Sequence, residues 1–156
     1  MKELKLIGTT ITTKIDDEYF DELSKITWYY HQNKYTCHLR GDLTIYLHRL
    51  IMAAGKGEVV DHIDGDGLNN QKANLRLCTQ VKNGQNRKKN KNNTSGFKGV
   101  SNIAGHRYLA KPWRANLRFN GVTKNLGNYA TPEEAAQAYN NAVIANLDAY
   151  AYLNPV

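Results

Sequence analysis

The apolar positions of the first half of the chain fall into short runs broken by turn formers. Residues 4–14 are rich in Thr and Ile, and residues 28–30, 35–39 and 43–47 form brief apolar or aromatic runs, so all are predicted as strands. Asp16 or Asp17 can cap a helix running to about Lys25. The tyrosines of these strands alternate with apolar residues and are expected to pack within a sheet. Residues 47–54 are apolar enough for a short helix, stopped by Gly55-Lys56-Gly57. A strand is expected over 58–63. The turn formers Asp64-Gly65-Asp66-Gly67-Leu68-Asn69-Asn70 follow, then a second strand over 74–77 and a helix capped by Thr79 that runs towards Arg87.

The second half restarts the pattern. Residues 84–94 lack apolar periodicity and read as a basic linker containing Arg87, Lys88, Lys89 and Lys91. Strands are expected over 97–101, 113–120 and 122–126. Thr131-Pro132-Glu133-Glu134 then supplies an N-cap, a first-turn proline and a capping-box glutamate, with Ala135, Ala138, Tyr139, Ala142, Val143 and Ala145 at helical spacing behind it. Period two divides the middle strand into an apolar face of Trp113, Ala115, Leu117 and Phe119 and a polar face of Arg114, Asn116, Arg118 and Asn120. Thr123 and Asn125 share a parity on the next strand, and Lys124 falls with the apolar Val122 and Leu126, which calls for a snorkelling lysine or a bulge. The whole is an α+β chain with a strand-rich unit at 1–45, a strand-strand-helix core at 46–90, the linker at 84–94, and a three-stranded sheet packed on one helix at 95–156.

Charge changes the picture once it is located. The net charge is +7, yet residues 1–60 hold eight basic and eight acidic side chains, and no acidic side chain occurs between Asp66 and Glu133. Thirteen basic residues lie in that gap, and a one-sided positive field of this kind suits nucleic acid. Cys37 and Cys78 are far apart and without a neighbouring ligand cluster, so neither a disulfide framework nor a zinc site is expected, and a reducing compartment, the cytoplasm, fits. No run approaches the length of a signal sequence core or a membrane span, so secretion and membrane contact are not expected.

Phosphodiester hydrolysis needs a base for water, a cation for the phosphate and ligands for that cation. Asp61 offers a hard oxygen suited to a magnesium-class ion, and His62, next to it on a strand, is expected to point the other way and so stand apart as a base. Asn83 on the following helix can add a carbonyl oxygen. Val60-Asp61-His62, the 64–70 turn, Asn74-Leu75-Arg76 and Asn83 resemble the His-Asn-His nucleases, in their phage and bacterial homing-endonuclease branch, over roughly residues 46–90. The resemblance implies a metal-dependent strand-strand-helix fold with His62 as general base and Asp61 on the ion. It also implies that Asn74 holds the turn and orients the base. Asn83 stands where many relatives carry His. His48 and Arg49 are candidates for phosphate contact or for packing, and Arg76 for clamping phosphate or supporting the fold. The implied cofactor is a divalent ion, magnesium first and manganese as alternative.

Residues 95–154 resemble the plant ethylene-response-factor, or Apetala-type, DNA-binding domain through Phe97-Lys98-Gly99-Val100, the 113–118 strand, Leu126-Gly127-Asn128-Tyr129 and the helix start at Thr131. The resemblance implies a sheet laid in the major groove, with Lys98, Asn116, Arg118, Thr123 and Asn125 facing DNA. Arg114 joins them by strand parity, and the linker residues Arg87, Lys88, Lys89 and Lys91 are expected to track phosphates. Plant domains carry more arginines and a groove-facing tryptophan where this chain has Ser101 and Asn125, so a different target is expected. Together these features suggest a monomeric, site-directed endonuclease that nicks double-stranded DNA, in the bacterial host cytoplasm if phage-encoded. A non-catalytic DNA-binding regulator and an RNA-directed nuclease are the alternatives.

Overall fold

A computed structural model describes residues 1–105, 108–119, 121–147 and 150–156; Asn120, expected on the polar strand face, lies outside them. The chain forms two compact units, Met1–Gly84 and Gln85–Val156. No helix among the described residues is long and apolar enough to cross a membrane.

The first unit opens with the antiparallel hairpin β1 (Lys2–Lys5) and β2 (Thr12–Ile15). The helix expected from Asp16 to Lys25 is a 3-10 turn at Asp17–Tyr19 followed by one α-turn, α1 (Phe20–Leu23). Beyond it the backbone tightens to bonds three residues back, Lys25 N–H to Glu22 O at 3.3 Å and Ile26 N–H to Leu23 O at 3.2 Å, and the Leu23 carbonyl also accepts from the buried Trp28 indole N–H at 2.9 Å. Strands β3 (Tyr29–Tyr30), β4 (Thr36–Arg40) and β5 (Leu43–Tyr46) form an antiparallel sheet in the order β3-β4-β5. Helix α2 (Leu47–Ile51) leads to the ribbon of β6 (Val59–His62) and β7 (Leu75–Cys78), and α3 (Gln80–Asn86) follows.

No boundary appears near residue 45. Leu47, fully buried, packs in one cluster with Leu4, Leu6, Ile15, Leu23 and Trp28, so the strand-rich segment and the strand-strand-helix core share an interior. Burial of that apolar area, at roughly 25 cal/mol per Å², is what holds the short elements together, because none is long enough to be stable alone.

The second unit is an antiparallel sheet of β8 (Val100–Asn102), β9 (Trp113–Phe119) and β10 (Val122–Tyr129), with β9 central, covered on one face by α4 (Pro132–Asn146). The capping box at Thr131 forms as the sequence requires: its hydroxyl accepts from the Glu134 N–H at 3.2 Å while the Glu134 carboxylate accepts from the Thr131 N–H. The buried side of α4 is Ala135, Ala136, Tyr139, Asn140 and Val143; Ala145 is exposed. Asn140 lies on that side because it clamps the carboxy-terminal segment. It donates to the Asn154 carbonyl at 2.9 Å and accepts from the Asn154 N–H at 2.8 Å. The strand expected from 97 begins only at Val100. Gly96 and Gly99 take left-handed φ values of +84° and +75°, and the Ser95 hydroxyl binds the Phe97 and Val100 carbonyls, which holds a turn there instead.

Candidate active site and polar sheet face

His62 and Asp61 are adjacent on β6 and project to opposite sides of the β6–β7 ribbon, as strand alternation requires. Both are buried, at 5% exposure each. Asp61 is paired in register with Arg76, whose Nε and Nη2 reach one carboxylate oxygen at 2.9 and 2.7 Å. Arg76 thus places its positive charge against a buried carboxylate.

His62 lies among rings. Tyr35 stacks on it with centroids 5.6 Å apart and planes at 24°, and His48 meets it edge-on at 5.1 Å. Burial, above all, lowers the His62 pKa against the opposing effects of Asn70 and the neighbouring aspartates. Burial likewise pushes His48 down to about 4, helped by the charges of His62 and Arg49. His48 is buried against the rings of His62 and Tyr35, with its Nδ1 unpartnered among the described residues. Arg49 is half-buried and donates to the carbonyls of Glu58, Gly55 and Ala54 at 2.6, 2.7 and 3.3 Å.

The 64–70 turn carries the remaining polar groups. Asn74 bonds across it: its side chain accepts from the Asp64 N–H at 3.1 Å and donates to Asp64 Oδ1 at 3.0 Å and to the Asn69 carbonyl at 2.8 Å. Burial works to raise the Asp64 pKa, but the Asp66 N–H, the Asn69 and Asn74 amides and the nearby His62 together outweigh it and hold the pKa below the ordinary value. The side-chain bond to the His62 ring comes from Asn70 and not from Asn74, which corrects the second half of the role expected for Asn74: Asn70 Oδ1 lies 3.2 Å from His62 Nε2. Asn70 is fully buried and bonded in turn to Thr13 on β2 at 2.7 Å. Its position in a polar turn hid it, since such asparagines are usually solvated; only the hairpin pairing reveals it. Strand β2 also binds the turn through Lys14 N–H to Leu68 O and Asn70 N–H to Lys14 O, both at 2.8 Å.

Among the described residues no three His, Cys, Asp or Glu side chains assemble a metal cage. A magnesium-class ion needs fewer, being held through one or two carboxylates with waters and substrate phosphates completing its shell. The buried Asp61 carboxylate and the half-buried Asn83 amide of α3 are hard-oxygen donors of that kind, so the residues present fit such an ion in their chemistry.

On the second unit, Ala115 and Leu117 are buried against α4, and the opposite side of β9 carries Arg114, Asn116 and Arg118. Register places Thr123 beside Arg118 and Asn125 beside Asn116. A bulge between Asn125 and Gly127 then shifts β10, so that Asn128 lies opposite Arg114 and accepts from its Nε at 3.1 Å. Asn128 therefore joins the polar face, which parity alone missed; Gly127, with φ +125°, was the available signal. Lys124 pairs with Leu117 on the side away from that polar row and is nonetheless exposed, with the bulge following it rather than containing it. Lys98 departs from the expected DNA-facing set: its ammonium donates to the Gln85 carbonyl at 2.5 Å and lies over the Tyr152 ring. Burial lowers its pKa to about 8. Arg87, Lys88, Lys89 and Lys91 are exposed, outside any helix or strand.

The first unit is thus defined by a strand-turn-strand-helix arrangement with a buried His and Asp on its first strand. Residues 45–85 match the family model described as HNH endonuclease. The chain is 37% identical over 125 residues to an uncharacterised HNH endonuclease, L560, of Acanthamoeba polyphaga mimivirus, covering 76% of this chain and 61% of that protein. It is 52% identical over 84 residues to Protein 3.8 of Escherichia phage T7, covering 54% of this chain and 66% of that protein. The chain thus spans less than two thirds of the length of either curated relative. No solved structure matches it.

Proposed function

We propose that the chain is a nuclease that hydrolyses phosphodiester bonds of double-stranded DNA, with His62 as general base. The observation that carries this reading is the buried imidazole of His62, fixed by Asn70 and Tyr35 beside a buried carboxylate, inside the segment that matches the HNH endonuclease model. A lowered pKa keeps the imidazole neutral near pH 7, the form that can accept a proton from water. Asp61 and Asn83 would hold a divalent ion, magnesium or manganese, which when bound supplies charge stabilisation at the phosphate. Asn74 and Asp64 hold the turn, and through it the end of β6, in place. One such site addresses one strand, so a monomer would nick.

The polar row of Arg114, Asn116, Arg118, Thr123, Asn125 and Asn128 supplies the donor and acceptor set that matches guanine and adenine edges in a major groove, and the exposed basic segment at 87–91 supplies phosphate contacts. These features favour site-directed cleavage of the homing type over indiscriminate hydrolysis. The test is incubation of supercoiled and genomic DNA with the full chain, in magnesium and in chelator, with mapping of new ends. Metal-dependent nicks at preferred sites are expected, and His62→Ala is expected to bind DNA as the wild type does while losing cleavage. Wild-type cleavage by that variant would sink the assignment of the base, and absence of cleavage by the wild type would favour a binding protein.

A further inference from the structure

Asn70 sits between groups whose hydrogen-bonding directions are settled by backbone carbonyls. The Thr13 hydroxyl donates to the Leu68 carbonyl at 2.8 Å, and a carbonyl only accepts, so the hydroxyl's one proton is committed there. Thr13 Oγ1 can then only accept from Asn70, which turns the amide nitrogen Nδ2 towards it at 2.7 Å. The same Nδ2 reaches a second pure acceptor, the Gly67 carbonyl, at 3.3 Å. The amide is thereby set with Oδ1 towards His62 Nε2, and an amide oxygen cannot donate.

We infer that Thr13 and Asn70 are positioning residues that hold neutral His62 as its Nε2–H tautomer, so that the ring's proton-accepting lone pair is on Nδ1. The inference rests on the reading of His62 as the base and deepens it by naming the nitrogen that works. Reversing the amide would set its oxygen against the Thr13 lone pairs and the Gly67 carbonyl, and its NH2 group against His62. With Thr13 and Asn70 fully buried, no water is at hand to relieve those clashes. The chain of bonds runs from a backbone carbonyl through β2 to the imidazole, joining residues 57 positions apart in sequence. Tyr35 and His48 close on the ring itself, so its orientation and its tautomer are fixed by different neighbours.

The test uses the full chain labelled with nitrogen-15 in histidine, the His62 resonances being identified by their loss in His62→Gln. In the wild type the His62 ring is expected as the Nε2–H tautomer, with that proton protected from exchange. Thr13→Val removes the acceptor that orients the amide at nearly constant volume. It is expected to give a mixture of tautomers and a fall in kcat of about tenfold to a hundredfold, the range for groups that orient a functional residue, with KM for DNA little changed. Thr13→Ser restores both. An Nδ1–H tautomer in the wild type overturns the inference, as does a folded Thr13→Val protein with unaltered kcat and spectrum. If Thr13→Val does not fold, the wild-type spectrum still decides. Cleavage by His62→Ala would instead remove the reading of His62 as the base while leaving the tautomer result standing, so the two failures are distinguishable.

Discussion

Asp61 and Arg76 face each other directly across the β6–β7 ladder, and the guanidinium grips a single carboxylate oxygen with two of its nitrogens. Their side chains are 6% and 15% exposed, so the pair is largely withdrawn from water. Any cation held by Asp61 shares that carboxylate with Arg76.

Removing one partner of such a pair leaves a buried charge without compensation, and the cost is about 3–5 kcal/mol where burial is complete. Arg76→Met is therefore expected to lower stability by about 3 kcal/mol, measured by urea unfolding, whereas Asp61→Asn with Arg76→Met together costs much less than the sum of the two single changes. Additive effects in that double-mutant cycle would show that the pair contributes nothing specific.

Acid should destabilise the first unit through His48. Its folded pKa is about 4 against an ordinary value of 6.5. Between those values the unfolded chain takes up a proton that the folded chain refuses, so stability falls as pH drops through this window. It is unaffected above 6.5 and the loss is complete below 4. The shift corresponds to on the order of 3 kcal/mol in all. Urea midpoints measured across the window should decline for the wild type and decline less steeply in His48→Phe, where His62 still contributes, and a decline unchanged by that substitution would assign the effect to other groups.

Gly67 packs directly under Tyr35. A Cβ at this position would lie 2.7 Å from the Tyr35 ring and 2.5 Å from the Lys34 carbonyl, and the backbone cannot retreat cheaply. Gly67→Ala is expected to cost about 1–3 kcal/mol, as overpacking does, and to displace the ring that stacks on His62. Loss of cleavage greater than loss of fold, in calorimetry beside a cleavage assay, is the expected signature.

Arg118 and the linker should fail in different ways on DNA. Arg118→Ala is expected to lose about 1–3 kcal/mol of discrimination at one base position. Neutralising Lys88 and Lys89 should weaken binding to all sequences alike and reduce the slope of log affinity against log salt by about 0.9 for each phosphate left without its lysine. Titrations on matched and mismatched duplexes at several salt concentrations separate the two, and equal losses on all sequences for both variants would remove the reader role from the sheet.

Local features were legible in the sequence and long-range ones were not. The strand-turn-strand-helix order around Asp61, His62 and Asn83, and the capping box at Thr131, depend on residues close in sequence, so composition and spacing reveal them. The bond from Asn70 to Thr13 and the Asn140–Asn154 clamp join residues 57 and 14 apart, and asparagine has no apolar periodicity to betray its burial. Parity counting failed at β10 because a single bulge reverses it, which moved Asn128 onto the polar face. The expected division near residue 45 failed because Leu47 belongs to the same cluster as Leu4 and Trp28.

Thr13 and Lys14 on β2, and Asp16 just after it, hold the 64–72 segment through their side chains and backbone. The segment around His62 is consequently not a portable module. A fragment trimmed to the matched residues 45–85 would discard the hydroxyl that orients Asn70 and most of the apolar cluster around Leu47. Transplanting this unit into another protein should therefore carry everything from Met1 to the end of α3 at Asn86 as its smallest piece.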